Sequence, residues 1–132
     1  MGDPSLNDSS LTLLLGPEPR VLLTGDLEAR GEAAALATAP SLLRAAVLKV
    51  PHHGSRTSST RRFVDAVAPD AAVISVGADN RYGLPNREIE AAYRARGTCV
   101  LRTDRCGAVT ALFEDGRVRV RAMRPECTCG GD

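Results

Sequence analysis

Short apolar runs recur along the chain and are separated by turn-forming residues, which is the pattern of β-strands. Residues 71–76 form a continuous apolar run, as expected for a strand inside a sheet that is covered on both faces. The first two runs are joined by Gly16-Pro17-Glu18-Pro19 and the last two by Glu114-Asp115-Gly116, which are turn signals. The pattern predicts strands over Ser9–Leu15, Arg20–Thr24, Ala45–Val50, Ala71–Val76, Thr98–Arg102, Gly107–Phe113 and Arg117–Met123.

The segments between these runs carry helix signals. Glu28–Thr38 is rich in Ala and Leu and has acidic residues near its start, where the helix dipole favours them. Thr57-Ser58-Ser59 offers N-caps for a helix over Arg61–Val67, and Asn86 caps a helix that runs through Arg96. Strands that alternate with helices in this way predict an α/β layered domain.

Length and composition restrict the function classes. With 132 residues the chain is at most one small domain, and its 43% hydrophobic and 25% charged residues are ordinary for a globular chain. Aromatic residues make up only 3%, so stacking platforms for single-stranded nucleic acid are scarce. The net charge of +1 gives no overall attraction for nucleic acid. No apolar run approaches the roughly 20 residues that span a bilayer, and no signal peptide is visible.

Arginines and cysteines are unevenly distributed. The arginines form two groups, namely Arg56, Arg61 and Arg62, and near the C-terminus Arg117, Arg119, Arg121 and Arg124. Cys99 and Cys106 flank a predicted hairpin, whereas Cys127 and Cys129 form a Cys-x-Cys pair whose spacing is too tight for a zinc knuckle. We therefore predict a domain over residues 1–124 and a flexible tail with free thiols over residues 125–132. The cysteine count does not fix the redox compartment.

Both histidines of the chain stand side by side in Lys49-Val50-Pro51-His52-His53-Gly54-Ser55, at the end of an apolar run. A second apolar run ends upstream in Gly25-Asp26. Sites on open sheets gather outside the carboxyl ends of strands, so a carboxylate and imidazoles at adjacent strand ends are candidates to share a metal. The alternative is that His52 and His53 only cap a strand and bond nearby backbone.

Several segments resemble a known family when they are taken in order. They are Asn7-Asp8-Ser9-Ser10, Leu22-Leu23-Thr24-Gly25-Asp26-Leu27-Glu28, Leu48-Lys49-Val50-Pro51-His52-His53-Gly54-Ser55, Thr57-Ser58-Ser59, Asn80-Arg81-Tyr82-Gly83-Leu84-Pro85, and Arg102-Thr103-Asp104 followed by Gly107-Ala108-Val109. Together they resemble the metallo-β-lactamase-like domain at the end of ComEC-type competence proteins, which internalise DNA. The resemblance runs from about Asn7 to about Val120.

The resemblance implies the second half of an αββα sandwich, with a mixed sheet flanked by helices. The His-x-His-x-Asp-His segment of the first half, which supplies most ligands of a two-metal centre, does not occur in this chain. Asp26 matches the carboxylate that bridges the two metals, and His52 is the preferred match for the later histidine ligand. His53 then orients a phosphate or supports the ligands, so the predicted catalytic residues are Asp26 and His53. Leu84 stands where the family loop usually has His.

Other residues near this site have two interpretations. Arg56, Ser58 and Asn80 are candidates for contacts with phosphates. The alternatives are a solvated side chain for Arg56 and turn chemistry with a buried Tyr82 ring for the loop of Asn80. An N-cap of the Glu28 helix is an alternative role for Asp26. Arg102 and Asp104 are more simply explained as a structural ion pair.

The resemblance implies part of a metal-dependent phosphodiesterase or nuclease that acts on DNA, favoured as a single strand, during uptake into a bacterium. Zinc or manganese is the expected cofactor, and this chain should bind it only weakly. Hydrolase activity is expected only together with the missing N-terminal segment. The implied partners are that segment and the membrane channel of a parent protein, and the side of the membrane stays open. The alternatives are a non-catalytic module that binds DNA or a partner, and a hydrolase fragment with another substrate.

A half-sandwich leaves one apolar sheet face open to water, and exposed apolar patches usually mark an interface. We place Leu13, Leu15, Leu22 and Val109 on that face. The favoured prediction is self-association through it. The alternative is that the chain covers the face with its own helices.

Overall fold

A five-stranded mixed sheet forms the centre of the computed structural model, which describes residues 5–130. Its strands are β1 (Leu13–Leu15), β2 (Val21–Leu23), β3 (Val47–Lys49), β4 (Ala71–Ile74) and β5 (Cys99–Arg102), and they lie in chain order across the sheet. β1 is antiparallel to β2, whereas β2, β3, β4 and β5 are parallel. The predicted α/β class with a mixed sheet is therefore confirmed.

Helices connect the parallel strands, and a hairpin follows the sheet. The elements are α1 (Ala29–Thr38), α2 (Arg61–Val67), α3 (Arg87–Arg94), the short α4 (Thr103–Cys106), β6 (Val109–Glu114) and β7 (Arg117–Ala122). The predicted cap of α3 is confirmed, since the Asn86 side chain accepts a 2.9 Å hydrogen bond from the amide of Glu88. The strands are shorter than predicted, and α4 lies where the sequence predicted only a connection.

The main core lies between one face of the sheet and helices α1, α2 and α3. Alternate residues of a strand point to opposite faces, so one residue set from neighbouring strands meets the helices. Its fully buried members each contribute about 1.5–3 kcal/mol of hydrophobic stabilisation. This core includes Leu22, Leu48, Ala72 and Val100 from the strands and Phe63, Val64, Val67 and Tyr93 from the helices.

The β6–β7 hairpin covers part of the opposite face of the sheet. Val21, Val47 and Ala71 form a second buried cluster there, and the hairpin contributes Val118 and Val120 to it. The second face is thus covered in part by a hairpin, and the alternative expectation, that helices of the chain would cover it, is wrong.

Two of the four residues predicted for the open face are placed differently from the prediction. Leu22 is only 2% exposed and belongs to the core beneath the helices. Val109 is partly buried at the start of β6. Leu13 and Leu15 on the edge strand β1 do remain 44% and 43% exposed. Self-association through this face stays a prediction.

The cysteines of the C-terminal segment are paired, so the prediction of free thiols is wrong. Disulfides join Cys99 of β5 to Cys129 and Cys106 of α4 to Cys127, and among residues 5–130 no cysteine is free. Sequence spacing alone does not give the connectivity of four cysteines. Both disulfides tie the segment after β7 back to the sheet. Residues 1–4 of the predicted domain and 131–132 of the predicted tail lie outside the described residues.

Polar networks hold the helices against the sheet. Glu32 of α1 is fully buried and accepts hydrogen bonds from the amides of Ser59 and Thr60, just before α2 begins. It thereby supplies acceptors to amides that a helix start leaves without intrahelical partners. On the other side of the domain, Arg102 forms the predicted structural ion pair with Asp104 at 2.7 Å, which is confirmed.

Candidate functional site

The carboxyl ends of three adjacent parallel strands, β2, β3 and β4, meet at one rim of the sheet. Thr24 follows β2 and is fully buried, and its hydroxyl donates a 2.8 Å hydrogen bond to the carbonyl of Lys49. The next residue, Gly25, has a φ of 54°, and a Cβ there would lie 3.0 Å from Cβ of Ser10. The amide of Asp26 donates a 3.1 Å hydrogen bond to the Ser10 hydroxyl, which fixes the turn that carries Asp26.

The two histidines lie on an unusual backbone. After β3 the chain enters a short 3-10 turn at Pro51, in which His52 and His53 have φ values of 46° and 54°. A left-handed conformation costs a non-glycine residue about 1–3 kcal/mol, and such residues are enriched at functional sites. Gly54 continues the run with a φ of 78°, and a Cβ there would lie 2.7 Å from Cβ of Pro85. The rings of the two histidines are inclined at 64°, with centroids 6.4 Å apart, so they face different partners.

His53 is the histidine that contacts Asp26. Its Nε2 lies 3.3 Å from Oδ1 of Asp26, and its Nδ1 lies 2.6 Å from the carbonyl oxygen of Ser75, which follows β4. A carbonyl only accepts hydrogen bonds, so in the neutral ring Nδ1 carries the proton and Nε2 keeps its lone pair. Metal-bound histidines are commonly oriented by such a bond to a backbone carbonyl. The sequence prediction preferred His52 for the site shared with Asp26, whereas the structure brings His53 to it.

His52 is paired instead with Glu28, which the sequence predicted only to be an acidic residue at the start of a helix. Nδ1 of His52 lies 3.1 Å from Oε1 of Glu28. Glu28 also accepts 2.8 Å hydrogen bonds from the hydroxyls of Ser5 and Thr57. The hydrogen bond from Ser5, followed by that from Thr57, holds the pKa of Glu28 below its usual value. Glu28 follows Asp26 by two residues at the same strand end, and this position was the sequence signal that could have placed it at the site.

Lys49 adds a positive charge to the rim. It was not among the site residues predicted from the sequence. Its Nζ donates a 2.7 Å hydrogen bond to the carbonyl of Gly25 and lies 3.9 Å from Oδ1 of Asp26. Burial lowers the pKa of Lys49 because it disfavours the charged form. A lysine at the end of an otherwise apolar run was the available signal.

Asp8 caps helix α1, and the alternative role of Asp26 as that cap is wrong. One carboxylate oxygen of Asp8 accepts hydrogen bonds from the amides of Glu28 at 3.1 Å and Gly31 at 2.8 Å. Gly31 lies in the first turn and Glu28 immediately precedes the helix, so neither amide has an intrahelical acceptor. The N-terminal segment therefore positions Glu28, and through it His52.

Replacing Asp8 by Ala is expected to lower the free energy of unfolding by about 1–2 kcal/mol, because a helix cap is lost. Urea unfolding of the two proteins measures this difference. Asp8→Asn is the matched control, since it keeps a side-chain oxygen that can accept the same bonds. Equal stability of the Ala variant and the original chain would contradict the assigned cap.

The predicted phosphate-contacting residues occupy different environments. Arg56 is exposed, close in sequence to the histidines. Ser58 is 2% exposed, and its hydroxyl lies 2.9 Å from the carbonyl oxygens of both Pro51 and Ser55. In this position the hydroxyl closes the loop that carries the histidines.

Asn80 closes its own loop through two hydrogen bonds to the backbone of Leu84. Its side-chain amide donates to the Leu84 carbonyl at 2.8 Å, and its side-chain oxygen accepts from the Leu84 amide at 2.9 Å. The loop chemistry proposed as the alternative for Asn80 is thus present. The expected burial of the Tyr82 ring is wrong, since Tyr82 is 70% exposed.

Comparison with known proteins agrees with this geometry. The metallo-beta-lactamase superfamily matches residues 4–78, which run from before β1 to beyond β4. This range includes the whole histidine rim, by which we mean Asp26, Glu28, Lys49, His52 and His53 at the carboxyl ends of β2 and β3. The chain belongs to the metallo-β-lactamase superfamily. The prediction of this fold family is therefore confirmed.

Bacterial competence proteins are among the relatives of this superfamily member, which confirms the predicted resemblance. Competence protein ComA of Neisseria gonorrhoeae is 41% identical over 79% of the chain, and ComE operon protein 3 of Bacillus subtilis is 39% identical over 86% of it. Recombination protein 2 of Haemophilus influenzae is 35% identical over 79% of the chain. The chain spans only 13% to 15% of the length of these relatives. No helix within residues 5–130 is both long and apolar enough to cross a membrane.

The rim of the sheet brings a carboxylate and an imidazole, two groups that can bind metals, close together. Two ligands about 2.1 Å from one ion lie about 3.0–3.4 Å apart in octahedral or tetrahedral geometry, and the 3.3 Å separation of Asp26 and His53 fits one edge of such a sphere. In the part of the chain that the structure describes, no group of three or more His, Cys, Asp or Glu side chains is arranged to hold a metal ion. Asp26 and His53 thus form a close carboxylate–imidazole pair, and no third such side chain of these residues is grouped with them.

Proposed function

We propose that this chain is the second ligand-bearing half of a metal-dependent phosphodiesterase domain that acts on DNA during its uptake by bacteria. The observation that carries the proposal is the arrangement of Asp26 and His53. Nε2 of His53 faces a carboxylate oxygen at 3.3 Å, while Nδ1 is engaged by the carbonyl of Ser75. The relatives, which include a competence protein and a recombination protein, support DNA as the substrate.

In this proposal Asp26 and His53 hold the metal, which is zinc or manganese. Such an ion would lower the pKa of a bound water and stabilise the leaving oxygen of a phosphodiester. Glu28 orients His52 toward the rim, and Lys49 and the exposed Arg56 attract the phosphate. The partners are an N-terminal half-domain with the remaining ligands, the membrane channel of a parent protein, and a single strand of DNA. The side of the membrane stays open.

A non-catalytic module that binds DNA or a protein partner is the second candidate. One argument for it is the absence of a three-ligand group among residues 5–130. The other is Leu84 in the loop 80–85, at a position where the resembled family has a histidine. The two candidates differ in what happens when the missing ligands are supplied. Only the first predicts that DNA is then cleaved.

Metal binding by the isolated chain is expected to be weak and to depend on Asp26 and His53. Two ligands fall short of the four or so that a tight zinc site uses. Calorimetry with Mn²⁺ or Zn²⁺ should show binding that Asp26→Asn and His53→Gln each abolish. His52→Gln is the matched control and should retain binding. The reverse pattern, in which only the His52 variant loses binding, would restore the assignment favoured by the sequence.

Catalysis is tested by supplying the missing ligands. The isolated chain should not cleave DNA, whereas its covalent fusion to the first half of a relative's metallo-β-lactamase domain should do so with Mn²⁺ or Zn²⁺. Asp26→Asn or His53→Gln should reduce the rate of the fusion by more than about 100-fold, because each removes a metal ligand. A fusion that binds metal fully yet cleaves no phosphodiester would favour the non-catalytic candidate. Metal-dependent cleavage by the chain alone would contradict its inactivity in isolation.

A further inference from the structure

A row of arginines lies on the β6–β7 hairpin, away from the histidine rim. Arg117, Arg119 and Arg121 alternate along β7 with Val118 and Val120. The valines pack on the second face of the sheet, so the three arginines point to the other side and are exposed. Residues two apart on one strand are separated by about 6.8 Å, so the guanidinium groups form a regularly spaced line.

Few acidic side chains neutralise this arginine row. Across the hairpin the row faces Thr110, Leu112 and Glu114. Glu114 is the acidic neighbour, at 4.0 Å from Arg119, and both side chains are more than half exposed, so the pair adds little stability. Within residues 5–130 no other ion pair or side-chain hydrogen bond engages the row. The row therefore keeps most of its positive charge for a partner.

The arginine row borders an open groove of about 1010 Å³. The opposite wall is formed by Ala46, Asp70 and Gly97, which precede strands β3, β4 and β5. These are the amino ends of the strands, whereas the histidine rim lies at the carboxyl ends. A strand of three or four residues is about 10–13 Å long, so the row is a surface separate from the candidate metal ligands.

We propose that the arginine row binds the sugar-phosphate backbone of a nucleic acid strand that extends beyond the histidine rim. A line of evenly spaced guanidinium groups suits a repeating anion, because each guanidinium can contact a phosphate through two parallel hydrogen bonds. The row side of the hairpin carries no aromatic residue for base stacking, so recognition is independent of sequence. The exposed Phe113 pairs with Val118 and so lies on the other side.

An anionic membrane surface fits the row less well. Binding in a membrane interface needs apolar side chains that insert beside the basic ones. On the row side of the hairpin Leu112 alone is apolar, between Thr110 and Glu114. The row thus offers charge without an apolar anchor.

The inference rests on the proposed function in that DNA is the expected polyanion, and the test separates the two. A fluorescently labelled single-stranded oligonucleotide is titrated with the chain in the presence of EDTA, so that binding is read without cleavage. Three phosphate contacts predict that log affinity falls against log salt with a slope of about −2, or about 20-fold between about 50 and 200 mM. Replacing all three row arginines by Ala should make the slope of log affinity against log salt shallower by about 2. The melting temperature should stay unchanged.

The matched control removes the same charge elsewhere, with Arg61→Ala, Arg62→Ala and Arg87→Ala on the exposed sides of α2 and α3. It should keep the salt dependence, and replacing the row by Lys should restore most of the affinity. Equal slopes for the row and control variants would overturn the inference. Binding to vesicles of anionic phospholipid without binding to the oligonucleotide would also overturn it and assign the row to a membrane. Asp26→Asn should keep full binding, so failure of catalysis and failure of this surface are seen separately.

Discussion

Removing the Cys99–Cys129 disulfide by the paired substitution of both cysteines with Ser is expected to lower the free energy of unfolding by about 3–4 kcal/mol. The disulfide closes a loop with a sequence separation of 30 residues, and such a loop loses much of its freedom in the unfolded chain. Most small domains are stable by only about 5–15 kcal/mol, so this loss is a large share of the total. Urea unfolding under non-reducing conditions measures it.

The second disulfide provides the matched comparison. Cys106–Cys127 closes a nested loop with a separation of 21 residues, so its paired removal should cost slightly less on its own. A third variant replaces all four cysteines by Ser. A reducing agent should lower the urea midpoint of unfolding of the original chain and leave the midpoint of this third variant unchanged. If reduction does not alter the midpoint of the original chain, the assigned pairing is wrong. Because structural disulfides persist in oxidising compartments, protein for these measurements must be produced under oxidising conditions.

Glu32→Ala is expected to cost about 3 kcal/mol of unfolding free energy. Glu32 is fully buried, and its carboxylate accepts hydrogen bonds from the amides of Ser59 and Thr60. Deleting the carboxylate leaves two donors without partners next to the start of α2, and each such buried group costs about 1–3 kcal/mol. Thermal unfolding should show the loss, and the loop that carries Ser58 should become more accessible to protease.

Glu32→Gln removes the ionisable group and keeps one of its two acceptor oxygens, since the amide nitrogen of Gln can only donate. Burial raises the pKa of Glu32 above its ordinary value of 4.5, so the folded chain binds this proton more tightly than the unfolded chain. The contribution of this group is therefore greatest below the unfolded pKa and is lost as the pH rises through the folded pKa. The Gln variant should lack this decline, because its side-chain amide does not titrate. An Ala variant as stable as the original chain would show that these hydrogen bonds are not what stabilises α2.

The elements that lie closest to the histidine rim were predictable from local pattern. Strands β2, β3 and β4 end at Leu23, Lys49 and Ile74, and the predicted runs include these positions. Parallel strands that neighbour one another in the sheet place their carboxyl ends together. The proximity of Asp26 to the histidine pair follows from that topology and from little else.

The choice between the two histidines could not be predicted. It depends on the left-handed backbone at His52 and His53 and on the carbonyl of Ser75, which is distant in sequence. Likewise, a helix cap by Asp8 and a buried acceptor at Glu32 are tertiary contacts between remote segments. The disulfide pairing and the covering of the second sheet face by the hairpin depend on how the C-terminal segment folds back, for which the sequence carries no periodic signal.

Strands β3 and β4 have neighbours on both edges and cover on both faces, since Leu48 and Ala72 face the helices while Val47 and Ala71 face the hairpin. Backbone amides in such a position exchange with solvent only when the whole domain opens. His52 follows β3 by three residues, and its amide donates a hydrogen bond to the carbonyl of Gly25, just beyond β2. The imidazoles are thus mounted next to the strands whose amides should exchange most slowly, so the geometry of the rim should persist while loops and strand edges open locally.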